Sequence, residues 1–264
     1  MKLGFSTVMY EGTRLRYSEI VGKAAALGYE GIELNFRELP SELKRGEVKE
    51  SLKRFGVKIA AIGTRHMYVT HRLYLASPHK VVRVKAFTYM AECMKLARDF
   101  GCSTVQAGWA FQGSRLEAPY DAVWKQAVES LRHVGRLAHE YGVNFVIEFA
   151  CRENARLINT MGDALRLLDE VRCENVLVMA DVFHIHSEKE PLKETVLKAG
   201  DKLAYVHISD SERLTPGTGT INFREFINAL KGLGYKGYLV MEFDPGPRPD
   251  KALRQAFDFF RKLL

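Results

Sequence analysis

The chain has 264 residues, 47% of them hydrophobic and 27% charged, a composition that supports a sizeable core and excludes disordered or fibrous classes. Lysine and arginine number 39 against 32 acidic residues, a formal balance of +7. The basic residues are spread along helix-like faces such as SELKRGEVKESLKRFG, where Glu50 and Arg54 stand one turn apart, so the charge reads as a solvated face and nucleic acid is not an expected partner.

The amino-terminal MKLGFSTVMYEG lacks the apolar centre of a secretory signal, and no apolar run approaches the roughly 20 residues that span a bilayer. Cys93, Cys102, Cys151 and Cys173 form no C-x-x-C pair and lie in core-like segments. Reduced, buried thiols, a cytoplasmic location and no membrane contact are expected.

In chain order, short β-type runs alternate with longer helical ones. Leu3 to Thr7, Gly31 to Asn35, Val57 to Ile62 and Ser103 to Gly108 read as strands, and Tyr17 to Leu27, Ser41 to Phe55 and His79 to Phe100 as helices stopped by Gly28, Gly56 and Gly101. Val143 to Phe149, Asn175 to Asp181, Leu203 to Ser209 and Gly237 to Phe243 continue the plan. An LGYxG phrase recurs in AALGYEGIEL and LKGLGYKGYLVMEF, each a helix end, a glycine stop and a strand start. Eight strand–helix units without a linker predict one domain over residues 1–264 with the α/β class of a single (β/α)8 TIM barrel. An open doubly wound sheet fits less well, because GFSTVMYEG has no Gly-rich phosphate turn after the first strand.

Two βα connections are long, Gly63 to Ser77 and Gly108 to Pro119. Their Tyr68, Tyr74, Trp109 and Phe111 could cover a small polar substrate or serve as a subunit contact in a homo-oligomer.

The chemistry gathers at four strand ends. FVIEF closes on Glu148, VLVMADVFH carries Asp181, AYVHISD carries His207 and YLVMEF carries Glu242, at intervals of roughly 26 to 35 positions, close to one barrel unit. In a barrel they converge at the mouth, where three carboxylates repel unless a cation neutralises them. Three oxygen donors and one imidazole suit one divalent metal ion, with Mn²⁺, Mg²⁺ or Co²⁺ favoured and Zn²⁺ possible. His184, three residues after Asp181, is placed for substrate contact, and His186 is read as an exposed loop residue. Arg213, in a loop turned by Pro216, Gly217 and Gly219, could offer a substrate oxygen two donors. His66 is balanced between lid surface and site, and Arg152 has a weaker claim.

At IEFxxR (Ile147 to Arg152), ADVFH (Ala180 to His184), HISDSERLTPGTG (His207 to Gly219) and VMEF (Val240 to Phe243), the sequence resembles the xylose-isomerase-like sugar isomerases and epimerases, closest to ketose 3-epimerases of the D-tagatose 3-epimerase type. The resemblance implies a single divalent metal, Mn²⁺ first among the candidates, held by Glu148, Asp181, His207 and Glu242. It also implies that Glu148 and Glu242 act as catalytic acid and base, that His184 and Arg213 bind substrate, and that the substrate is a small sugar. One departure concerns the choice of sugar, since Asn154 stands where that pattern has a second glutamate. Hydroxypyruvate isomerase and an inosose-type dehydratase use related chemistry. An endonuclease IV-like DNA-repair nuclease is a reading of another class, opposed by Gln106 rather than a histidine at the fourth strand end.

Overall fold

A computed structural model describes residues 1–264. Its strands are β1 (Lys2–Ser6), β2 (Gly31–Leu34), β3 (Lys58–Gly63), β4 (Thr104–Ala107), β5 (Asn144–Glu148), β6 (Val176–Asp181), β7 (Leu203–Ile208) and β8 (Tyr238–Met241). All neighbours pair in parallel, and β8 pairs with β1 to close the barrel. Closure leaves no sheet edge open to another chain. The eight-unit expectation therefore holds.

The helices are α1 (Tyr17–Leu27), α2 (Arg45–Phe55), α3 (Arg65–Val69), α4 (Lys80–Asp99), α5 (Trp109–Gln112), α6 (Tyr120–Tyr141), α7 (Met161–Val171), α8 (Val182–Ser187), α9 (Leu192–Ala199), α10 (Phe223–Gly232) and α11 (Pro249–Arg261). No helix is long and apolar enough to cross a membrane. The expected stops at Gly28, Gly56 and Gly101 all have positive φ, as the left-handed residue beyond a helix requires. Boundaries shift where side chains intervene. β1 ends at Ser6 because Thr7 opens a 3-10 turn and donates its hydroxyl to Asn35 O at 2.8 Å. Residues 41–44 form a turn rather than the start of α2, with the Glu42 carboxylate accepting the Leu39 N–H at 3.1 Å.

Strand alternation sorts side chains into two packings. Phe5, Ile32, Val105, Phe145, Ile147, Val178, Val206 and Leu239 face outward into the large core beneath the helices. Ala60, Ala61, Val146, Met179, Tyr205 and Val240 fill the barrel interior. The period of two then dictates what stands above that plug. Two residues beyond Val146, Met179, Tyr205 and Val240 come Glu148, Asp181, His207 and Glu242, so all four emerge at the carboxyl end of the barrel, the catalytic face of this architecture.

Both long loops carry a short helix, α3 and α5. Tyr68 packs against Tyr74 and Trp109 with ring centroids 5.7 and 6.2 Å apart, while Phe111 is fully buried. Of these four aromatics only Trp109 lines the central cavity, which corrects the expectation of a general aromatic cover. The other three join the loops to each other and to the core, where their apolar area is better removed from water. The four cysteines are free, with Cys93, Cys102 and Cys151 buried and Cys173 only partly so.

Candidate active site at the barrel mouth

A cavity of about 580 Å³ opens at the carboxyl ends of the strands, with Glu148, His184, His207, Arg213 and Glu242 in its wall. Asp181 lies beneath it, fully buried. The residues singled out in the sequence thus converge. Around His207 Nδ1 lie Glu242 Oε2 at 3.3 Å, Glu148 Oε1 at 3.8 Å and Asp181 Oδ2 at 3.9 Å.

The far side of the ring explains that orientation. His207 Nε2 is 2.7 Å from Glu33 Oε2, and Glu33, on β2, is fully buried. A carboxylate can only accept, so Nε2 carries the hydrogen and Nδ1 is left facing the three carboxylates. Nδ1 makes no hydrogen bond although it is buried. Sequence reading missed Glu33. Its signal was a charged residue between Ile32 and Leu34 in a predicted strand, a position that burial permits only with a partner.

Electrostatics divide the three acids. Burial, reinforced by Asp181, pushes the Glu148 carboxyl well above the usual carboxylate range. Burial acts the same way on Glu242, but His207 and Arg213 outweigh it and hold Glu242 well below that range. Asp181 is likewise held low against its burial, chiefly by Arg213, whose Nη1 donates to Oδ2 at 2.8 Å. Burial would depress His207, yet Glu33 and Glu242 together hold it well above its ordinary value. Three acidic side chains thus surround one buried imidazole nitrogen that has no hydrogen-bond partner. A divalent ion would offset their charge while taking Nδ1 and the three carboxylates as donors, so the residues fit the expected metal.

His184 is set apart from that donor set. Its Nδ1 accepts the Cys151 N–H at 3.3 Å, which places the hydrogen of the neutral ring on Nε2, facing the cavity. Burial lowers its pKa to about 4, so the ring is neutral near pH 7. Two donors meet where Arg213 Nη2 approaches Nε2 at 3.3 Å, and that approach is contact rather than a hydrogen bond. The Arg213 guanidinium also stacks 4.3 Å from the Phe183 ring centre, a cation–π arrangement that fixes its plane.

Arg213 reaches this position through a backbone that L-residues avoid, with φ 56° at Glu212 and 58° at Arg213. The buried Asp210 holds the loop. Its carboxylate accepts the backbone N–H groups of Ser211 at 2.9 Å, Gly217 at 2.8 Å and Ile221 at 3.1 Å, and a Cβ on Gly219 would overlap Asp210 Oδ1. Asp210 is thus a second positioning residue whose importance the sequence did not disclose.

The remaining candidates separate. His66 is buried on α3 with Nδ1 3.1 Å from Thr70 Oγ1 and Nε2 3.7 Å from Glu11, and His186 is exposed on α8. Arg152 pairs with Glu188. Asn154 does line the cavity, and its carbonyl accepts the Trp109 indole N–H at 2.9 Å.

Comparison with known proteins places the site in context. Residues 21–263 match the family described as xylose isomerase-like TIM barrel. The chain is 28% identical to the D-psicose 3-epimerase of Ruminiclostridium cellulolyticum over 86% of its own length and 78% of the relative's. It is 26% identical to the 3-dehydro-D-guloside 4-epimerase of Escherichia coli over 82% of each chain. The solved structure of the E. coli 3-keto-D-glucoside 4-epimerase superposes with a TM-score of 0.88 over 99% of both chains, at 22% identity.

Proposed function

Because the chain belongs to the xylose isomerase-like TIM barrels, we propose that it is a sugar epimerase that inverts a carbon next to a ketone, with ketose 3-epimerisation as the leading reaction. The observation that carries this reading is the pair Glu148 and Glu242, brought from β5 and from the end of β8 to one cavity around His207. Strands five and eight are not neighbours in the barrel, so the two carboxyl groups can meet a bound sugar from different sides.

In the forward direction one carboxylate takes the proton from the carbon beside the ketone, breaking the C–H bond. The other carboxyl group delivers its own proton to the opposite face, forming the new C–H bond and inverting the centre. Exchange of roles serves the reverse direction. Glu148, Asp181, His207 and Glu242 would hold one divalent ion, Mn²⁺ in preference, which when bound supplies Lewis-acid stabilisation for the negative charge that develops on the substrate oxygens. His184 Nε2–H and the Arg213 guanidinium are donors aimed at those oxygens. Asn154 puts a neutral amide, able to donate and accept, where the ketose 3-epimerase pattern has an anion.

A second reading rests on the E. coli relative. The same proton transfer at the carbon on the other side of a 3-keto group gives 4-epimerisation of a keto-glycoside, and the coverage of 82% of each chain favours testing it. Incubation in D₂O with Mn²⁺ and a panel of free ketoses, phosphorylated ketoses and 3-keto-glycosides separates the possibilities. Deuterium at C3 of a ketose means 3-epimerisation, and deuterium at C4 of a 3-keto-glycoside means 4-epimerisation. Label at C1 or C2 of a ketose indicates aldose–ketose isomerisation instead, and no incorporation into any substrate removes the proposal.

A further inference from the structure

Glu33 does not line the cavity, yet it makes the shortest contact to a proposed metal donor. Its Oε2 meets His207 Nε2 at 2.7 Å, while Oε1 accepts the Ser6 hydroxyl at 2.9 Å and the Asn35 side-chain N–H at 2.6 Å. All of these groups are buried. Ser6 and Glu33 face each other in the β1–β2 register, whereas His207 comes from β7, so the contact crosses the barrel interior. Asn35 is held in turn, its Oδ1 accepting the Arg65 N–H at 3.3 Å. A Cβ on Gly63 would overlap the Asn35 amide, so the backbone of β3 is shaped to admit it.

An anion with no water contact persists only where every oxygen is satisfied. Here two donors fix Oε1 and thereby point Oε2 at one imidazole nitrogen. We propose that Glu33 is a positioning residue which, with Ser6 and Asn35, locks His207 as the Nε2–H tautomer and aims the Nδ1 lone pair at the divalent ion. The inference rests on the metal-dependent reading of the site and deepens it. Carboxylates that accept the remote N–H of a ligating imidazole commonly raise metal affinity by about 10- to 100-fold. Glu33 is not in the cavity wall, and its contact with the site runs through the His207 ring.

The test is Mn²⁺ binding to the metal-stripped chain, followed by titration calorimetry on wild type, Glu33→Gln and Ser6→Ala at a temperature where circular dichroism shows each to be folded. Glu33→Gln should weaken Mn²⁺ about 10- to 100-fold, and Ser6→Ala, which leaves the carboxylate but removes one donor, should weaken it less. Proton and nitrogen-15 shifts of the His207 ring, recorded on the chain loaded with diamagnetic Zn²⁺, should show a strongly hydrogen-bonded, downfield Nε2–H in wild type that moves upfield in Glu33→Gln. A folded Glu33→Gln chain that binds Mn²⁺ within twofold of wild type overturns the positioning role. Should Glu33→Gln fail to fold, unchanged affinity in Ser6→Ala overturns it. Absence of Mn²⁺ binding by wild type removes the metal reading itself, a result distinct from either.

Discussion

A side chain on Gly108 would occupy the space that holds the carboxylate of Glu148, since a Cβ built there overlaps Oε2. The end of β4 is therefore bare where the Glu148 side chain from the end of β5 enters the cavity wall. Gln112 reinforces the arrangement from α5, donating to Glu148 O at 3.1 Å while its own oxygen accepts the Ile158 N–H at 3.0 Å.

Gly108→Ala is accordingly expected to act on the reaction more than on the fold. The overlapped atom is the end of a flexible side chain, so the carboxylate moves and the backbone stays. A displacement near 1 Å costs about 100-fold in rate. Steady-state kinetics beside a thermal melt checks this, and a variant with unchanged kcat would show that Glu148 has room to spare.

Glu148→Gln and Glu242→Gln should each lower epimerisation by about 10² to 10⁴-fold. Their residual behaviour should differ. Each variant keeps one base, so each should still exchange solvent deuterium into one epimer without inverting it, and the two variants should label opposite epimers. Proton NMR of both epimers in D₂O reads this directly. Labelling of the same epimer by both variants would assign the two glutamates to one face.

Stripping the metal with a chelator should lower the melting temperature. Ligand at 100 times its Kd stabilises the folded state by about 2.7 kcal/mol, which corresponds to roughly 5–10 °C for a chain of this size. Mn²⁺ should restore the loss. Scanning calorimetry with and without added ion decides the matter, and identical curves would count against a bound cation.

Asp210→Ala removes the acceptor of three backbone N–H groups. The expected cost is about 2–3 kcal/mol, accompanied by a fall in kcat/KM of roughly 10- to 100-fold as Arg213 loses its position. Asp210→Asn, which keeps one acceptor, should fall between. Denaturant melts and kinetics on the folded variants separate the two effects, and a stability loss with normal kcat/KM would mean that Arg213 needs no help from the loop.

The barrel was legible because its pattern is local. A β-type run and a helix repeat eight times, with glycine stops such as Gly28, Gly56 and Gly101 marking several of the helix ends, and alternation within a strand places Glu148, Asp181, His207 and Glu242 on one inward row. Glu33 and Asp210 were not legible, for different physical reasons. Glu33 matters through a partner 174 positions away, and nothing in GIELN says which strand will face it across the interior. Asp210 sat inside a motif already singled out, but its work is done on backbone N–H groups, which carry no residue signature. Helix boundaries such as the start of α2 were lost to a side-chain contact between Glu42 and Leu39 N, again invisible to periodicity.

The loop that presents Arg213 has a consequence for how such a site can change. Asp210 grips the main chain rather than any particular side chain, and Leu214, Thr215 and Thr218 contribute only backbone atoms or exposed hydroxyls to the turn. The scaffold of the loop is thus uncoupled from most of its letters. Those positions can therefore vary while the Arg213 guanidinium stays in the cavity wall and Glu148, Asp181, His207 and Glu242 stay gathered together.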